Sequence, residues 1–227
     1  MPRVEPAPPR LRTDLAEPSD VTLDDGEELQ DALLVSTDLA GIVAPDAHIA
    51  GCELRGARLT GADLEGAVLT DVCFVGCDLS GAIFTEAQWL RVELRDCRAT
   101  GLVLAQARLR DARFVSSKLD GLNARLVRGE RVTFDDCSLV DADFYETGVD
   151  NGAFADCDLT TANFTAARLG GAHFRRSRLE RLRGATGLRG ASVSPEQVLP
   201  LALGLFADLG IALLDDEPDR DEAPPSA

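Results

Sequence analysis

From Leu34 onward a large apolar residue returns every fifth position, as in GADLEGAVLT, CDLSGAIFT and TANFTAARLGGAHF. Steps of five from Leu34 to Leu179 land on Leu or Phe, except at Ala44, Ile49, Trp89, Ala99, Ala124, Gly129 and Val149. Two residues before each such centre the side chain is usually small, as at Ala57, Ala62, Ala67, Cys77, Ala82, Ala87, Cys97, Ala107 and Ala112. The residue just before the centre is usually polar, as at Asp63, Asp78, Glu93, Arg108, Asp158 and Asn163. A period of five fits neither the 3.6 of a helix nor the 2 of a plain strand, so the pattern predicts a repeat architecture.

A second period of twenty lies over the first. Phe74, Phe114, Phe134, Phe154 and Phe174 share one phase of it. Phe84, Phe144 and Phe164 share the phase ten residues away, so of nine Phe only Phe206 falls outside these two columns. Cys77, Cys97, Cys137 and Cys157 form another column, with Ser117 and Ser177 in its gaps. Gly41, Gly61, Gly81, Gly101 and Gly121 form a third, where a corner is expected. Four five-residue sides per coil account for all three columns. About seven and a half coils, stacked about 4.8 Å apart, would make a rod on the order of 36 Å long. One coil cannot bury its own interior, whereas stacked coils bury a continuous apolar column and need caps at the open ends.

The motif A-(D/N)-L-x-x, kept in register over roughly two-thirds of the chain, resembles the pentapeptide repeat family. The resemblance implies an all-β fold, a right-handed quadrilateral β-helix closed by a C-terminal α-helical cap. Within the family it is the DNA-mimicking, gyrase-directed fluoroquinolone-resistance members that the chain resembles.

The termini read differently. Residues 1–20 are rich in Pro and charge and are expected to be disordered, as is the acidic tail 215–227. The β-helix with its N-terminal cap (Thr22–Leu34) is assigned to 21–190, and a helical segment to 191–214. Ser194, Pro195 and Gln197 carry N-cap, first-turn and capping-box chemistry. Gly210 is a natural stop, and Pro200 is expected to kink or divide the helix. Val198, Leu199, Leu201, Ala202, Leu205, Phe206 and Leu209 give this helix more apolar surface than a cap needs. It either only covers the last coil or also pairs with a second copy; the family resemblance implies pairing, and a homodimer is expected.

Charge then narrows the function. The chain of 227 residues has 23 basic and 39 acidic residues, for a net charge of −16. That argues against direct nucleic-acid binding and against an anionic membrane surface. No apolar leader opens the sequence, and Val198–Leu214 is interrupted by Pro200, Gly204, Asp208 and Gly210, so a cytoplasmic protein is expected. Six cysteines in that setting read as free thiols. The Cys column cannot surround a zinc ion, and His48 and His173 lie far apart on the surface. Cys73, just before a centre, points outward and is expected to be the accessible thiol. No nucleophile–base pair, phosphate loop or oxyanion element is present, so neither catalysis, a cofactor nor a metal is expected.

Sorted by side, the charges are uneven. One side carries Asp46, Asp63, Glu65, Glu86, Asp143 and Glu146 against Arg125 alone. The next carries Arg91, Arg108, Arg110, Arg128, Arg131 and Arg168 against Asp71, Asp111, Glu130 and Asp150, with pairing expected along Arg91–Asp111–Arg131 and Arg110–Glu130. Much of the remaining negative charge lies in the termini. Residues 120–131 swap large and small positions (Leu122 and Val127 against Ala124 and Gly129), which predicts a distorted coil without an inserted loop. The leading expectation is a non-enzymatic protein-binding rod. Its specific form, implied by the resemblance, is a DNA mimic that binds a type II topoisomerase, DNA gyrase, through the acidic side. The alternative is a scaffolding homodimer with no topoisomerase activity.

Overall fold

A computed structural model describes residues 5–18, 21 and 23–212. Residues 1–4 and the acidic tail 215–227 lie outside the described residues. Twelve short strands run in chain order. They are β1 (Glu28–Gln30), β2 (Leu33–Val35), β3 (His48–Ala50), β4 (Glu53–Arg55), β5 (Val68–Val75), β6 (Gln88–Arg95), β7 (Arg108–Val115), β8 (Arg128–Asp135), β9 (Gly148–Asp150), β10 (Ala153–Ala155), β11 (His173–Arg175) and β12 (Ser192–Val193). Every strand pairing is parallel, and between β1 and β11 each residue meets the one twenty further along, as in Leu34↔Leu54↔Phe74↔Leu94↔Phe114↔Phe134↔Phe154↔Phe174. The product is a parallel β-solenoid of about eight coils with one C-terminal helix.

Two adjacent sides of each coil carry the strands. The other two are held by single bridges at the polar position, as in Val43↔Asp63↔Ile83↔Val103↔Asn123↔Asp143↔Asn163↔Arg183. Backbone N–H groups are satisfied by the next coil, for example Leu59 N to Asp78 O at 2.7 Å and Leu64 N to Ile83 O at 2.8 Å. The corner after each side is turned by a residue at positive φ: glycine at Gly61 (64°) and Gly81 (66°), but also Leu126 (61°), Thr161 (61°) and Ala166 (57°).

Inside, the centres stack as expected. Phe114, Phe134, Phe154 and Phe174 lie face to face, with centroids 4.6, 4.9 and 4.7 Å apart. Phe144 and Phe164 stack at 4.8 Å on the opposite side and meet the first column edge-on, Phe144 against Phe154 at 5.7 Å and 88°. The stacking distance equals the coil rise, so each ring lies directly over its predecessor. Trp89 continues the aromatic core, edge-on to Phe84 at 5.2 Å. The Cys column fills the small inward slots, and its thiols donate to carbonyls, Cys97 Sγ to Arg95 O at 3.3 Å and Cys157 Sγ to Ala155 O at 3.2 Å.

The swapped coil keeps register: β7 pairs β8 without a break, while Leu122 and Val127 are buried beside Ala124. The exchange does not conserve volume fully. A void of about 20 Å³ remains between Leu122, Ala124, Val127, Phe134, Phe144 and Val149.

The C-terminal end closes in two steps. The chain turns over the last coil at Gly184 (φ 68°), where a Cβ would sit 2.2 Å from Thr165 N. A short 3-10 turn at Pro195–Gln197 then leads into α1 (Val198–Asp208). Gln197 is buried, accepts from Ser194 N at 2.7 Å and donates to Ser177 O at 2.6 Å, which ties the helix start to the rod. Pro200 does not divide the helix as expected. It is the third residue of α1, where no intrahelical acceptor exists for an N–H, so its missing donor costs nothing there. The winding changes earlier, from 3-10 at Pro195–Gln197 to α at Val198, with no residue between. Gly204 faces the rod; a Cβ there would lie 3.3 Å from Leu182 O and 3.4 Å from Ala185 Cβ.

The Pro-rich N-terminal segment differs from expectation. Residues 5–18 lie along the rod: Ala16 bridges Ala32, and Leu33 N donates to Ala16 O at 2.7 Å. Composition argues for disorder only when a segment has nothing to pack on; here the rod supplies a surface.

Phe134→Ala should remove a ring that stacks on both sides and enlarge the neighbouring void. We expect a loss of about 3–5 kcal/mol in urea-unfolding stability, with the β-rich circular dichroism spectrum retained at low urea.

Candidate partner-binding surfaces

The coil geometry distributes the acidic residues into three columns. Asp46, Glu86 and Glu146 take corner positions at φ 56°, 59° and 53°. Asp63 and Asp143 lie in the bridged polar column, four coils apart, and Glu65 projects from the column beyond the centre. The structure therefore places all six on one side but does not cluster them. Asp46, Glu65 and Glu86 are exposed and form no ion pair among the described residues. Asp143 is committed internally, accepting from Arg125 Nη1 at 2.9 Å, Asn163 Nδ2 at 2.9 Å and Tyr145 N at 3.0 Å. Arg125 also lies 4.4 Å over the Tyr145 ring. Near the Asp143 end the acidic side is thus partly neutralised.

The neighbouring corner carries paired charges, though not in the expected order. Arg91 turns to Asp71, with both oxygens at 2.6 Å, rather than to Asp111. Arg131 takes Asp111 at 2.5 and 2.8 Å and also contacts Glu130, while Arg110 reaches Glu130 at 3.4 Å. Arg91 and Arg131 each reach back one coil and grip one carboxylate with two donors, the geometry that suits the planar guanidinium fork. Arg131 holds the Asp111 carboxyl below the ordinary carboxylate range, against the opposing effect of burial. At Asp71 burial is the largest influence and raises the pKa, yet Arg91 and the Arg10 backbone N–H together outweigh it and the net direction is down.

Cys73 is not the accessible thiol expected. It points outward in the sheet but lies between Glu53 and Glu93 and is buried at 9% exposure. Burial and the two carboxylates push its pKa up to about 11. His48 is exposed and His173 half-buried, on separate coils. No group of three or more His, Cys, Asp or Glu among the described residues could hold a metal ion. None of the described helices is long and apolar enough to cross a membrane.

The helix surface splits. Leu201 and Leu205 pack against the core, and Ala202 and Phe206 are half-buried. Val198, Leu199 and Leu209 are exposed, at 58%, 70% and 64%. Leu203 and Ile211, absent from the expected set, are exposed as well. Leu199 and Leu203 stand one turn apart and line a cleft of about 470 Å³ with Pro200, Ala207, Leu182 and Arg183. Gly204 carries the signal that could have sorted these positions, because it marks the side pressed against the rod.

A family model described as pentapeptide repeats matches residues 28–66, 47–86 and 151–181. Over these residues the chain is built of pentapeptide repeats. Among solved structures, this repeat rod is similar to a trypsin-treated form of QnrB1, a plasmid-mediated fluoroquinolone resistance protein. The TM-score is 0.46 and the identity 24%, over 86% of this chain and 96% of that one. It is also similar to HetL, a pentapeptide repeat protein involved in heterocyst differentiation regulation from the cyanobacterium Nostoc sp. strain PCC 7120. There the TM-score is 0.30 and the identity 18%, over 74% and 87% of the two chains. No curated protein matches the chain.

Because Asp71 and Asp111 titrate lower in the folded rod than when unfolded, their stabilisation is present above the ordinary carboxylate range. It is lost as pH falls through their depressed folded values. Urea unfolding from pH 7 down to pH 2 should show the repeat rod weakening at the acid end, and Asp71→Asn/Asp111→Asn should be less stable at pH 7 with a flatter acid profile. In the native protein at pH 8, none of the six cysteines should react rapidly with a disulfide reagent such as DTNB, and all should react in urea.

Proposed function

We propose that this pentapeptide repeat protein is a non-enzymatic, protein-binding rod that dimerises through α1 and presents its acidic side to a partner. The observation that carries the pairing is the exposed apolar row on a helix whose other side already caps the rod. Leu199 and Leu203, flanked by Val198 and Leu209, leave a surface that a second copy would bury. Leu201 and Leu205 belong to the cap, with Ala202 and Phe206 at the boundary.

The partner this reading names is a type II topoisomerase, DNA gyrase, engaged where it ordinarily holds DNA. Asp46, Glu65 and Glu86 support it, since they are exposed carboxylates that form no ion pair among the described residues. A scaffolding role without topoisomerase activity is favoured by a different observation, the neutralisation of Asp143 by Arg125. Five coils, from Asp46 to Glu146, span about 24 Å. A DNA duplex places about 14 phosphate charges on that length, far more than this side offers, so any mimicry is local.

Light scattering should return twice the 24.2 kDa chain mass at micromolar concentration, and Leu199→Glu/Leu203→Glu should return the single mass with unchanged circular dichroism. A monomeric native protein contradicts the pairing. In a gyrase supercoiling assay the full chain should inhibit, and Asp46→Asn/Glu65→Gln/Glu86→Gln should inhibit at least about tenfold less. Absence of inhibition by the native dimer leaves the scaffold reading.

A further inference from the structure

The N-terminal arm is laid on the rod in register with one corner. That corner is the column Asp31, Gly51, Asp71, Arg91, Asp111, Arg131, all at positive φ. Its carboxylates come every second coil, with Arg91 between Asp71 and Asp111. The arm touches all three. Ala7 N donates to Asp111 Oδ1 at 3.0 Å, and Arg10 N donates to Asp71 Oδ1 at 2.8 Å. Arg12 Nη1 lies 3.4 Å from Asp31 Oδ2.

The fit is one of spacing and of chemistry. Two coils rise about 9.6 Å. Three residues of polyproline-type chain rise about 9.3 Å, one full turn, so residues three apart present the same edge. Ala7 and Arg10 are three apart and have free N–H groups. The residues between them, Pro8 and Pro9, have none, so no donor faces Arg91, which has no lone pair to offer. Pro6, Ala7, Pro9 and Leu11 are half-buried, and a cleft of about 180 Å³ remains between residues 5–9 and Val92, Glu93, Asp111 and Arg113.

We propose that this corner is a recognition groove for extended, proline-rich peptide of another protein, bearing two free backbone N–H groups three residues apart. Residues 5–12 are its resident ligand. The arm holds the groove by tethering, at an effective concentration on the order of millimolar, and a partner's segment takes the groove by replacing it. The groove is separate from the acidic side and from α1, so it stands independently of the gyrase reading.

The test uses the full chain and the double variant Ala7→Pro/Arg10→Pro, which deletes the two donors, keeps the arm extended and leaves the rod untouched. Its circular dichroism spectrum should match that of the native protein. Trypsin should cut after Arg12 at least about tenfold faster in the variant. A fluorescein-labelled peptide of residues 5–12 should bind the variant saturably and the native chain at least about tenfold more weakly. The same peptide with both prolines introduced should not bind either protein. Equal cleavage rates would overturn the proposal, because the arm would then not be held by these donors. Failure of the peptide to bind the variant at millimolar concentration would also overturn it, as would equal affinity for both proteins.

Discussion

The molecule depends on a corner that must be turned every fifth residue with the backbone at positive φ. That conformation is disfavoured for any side chain bearing a Cβ, yet the chain adopts it at Leu126, Thr161 and Ala166 as well as at glycine and aspartate. The stacked interior offsets the cost. Each coil brings its centres onto those of the coil before, at ring separations of 4.6–4.9 Å in the phenylalanine columns. Full burial of each such side chain is worth about 1.5–3 kcal/mol. Corner and stack enforce one another: a slip of one residue would put a polar residue inside and turn a centre outward.

The same constraint arranges the surface. Outward residues fall into columns, so a charge placed once per coil becomes a line of charge along the rod. At the Asp71–Arg131 corner the signs alternate, and each arginine grips the carboxylate one coil back. On the acidic side the carboxylates occupy different columns, and among the described residues only Asp143 of the six is ion-paired. One backbone rule thus yields a structural zipper on one corner and a set of open carboxylates on another. It also gives the N-terminal arm a periodic surface to match.

Much of this was legible in the sequence, because the repeat is covalent information. The centres, the twenty-residue columns, the inward cysteines and the coil without an inserted loop all follow from period and residue size. What escaped was set by contacts between segments far apart in sequence. Composition marks residues 5–12 as unstructured, and only the rod's carboxylate spacing gives them a place. Cys73 reads as outward and therefore free, but Glu53 and Glu93 close over it from adjacent coils. Apolarity in the helix does not distinguish Leu201 and Leu205, which pack against the core, from Leu199 and Leu203, which stay exposed beside it. Pro200 reads as a breaker until the helix start is known.

Direct association of the purified full chain with DNA gyrase, titrated at 50 mM and 200 mM salt, tests the central functional claim most directly. If the open carboxylates stand in for phosphate, binding should be saturable at low salt and at least about tenfold weaker at the higher salt. No association at 50 mM salt would contradict it, and so would an affinity indifferent to salt.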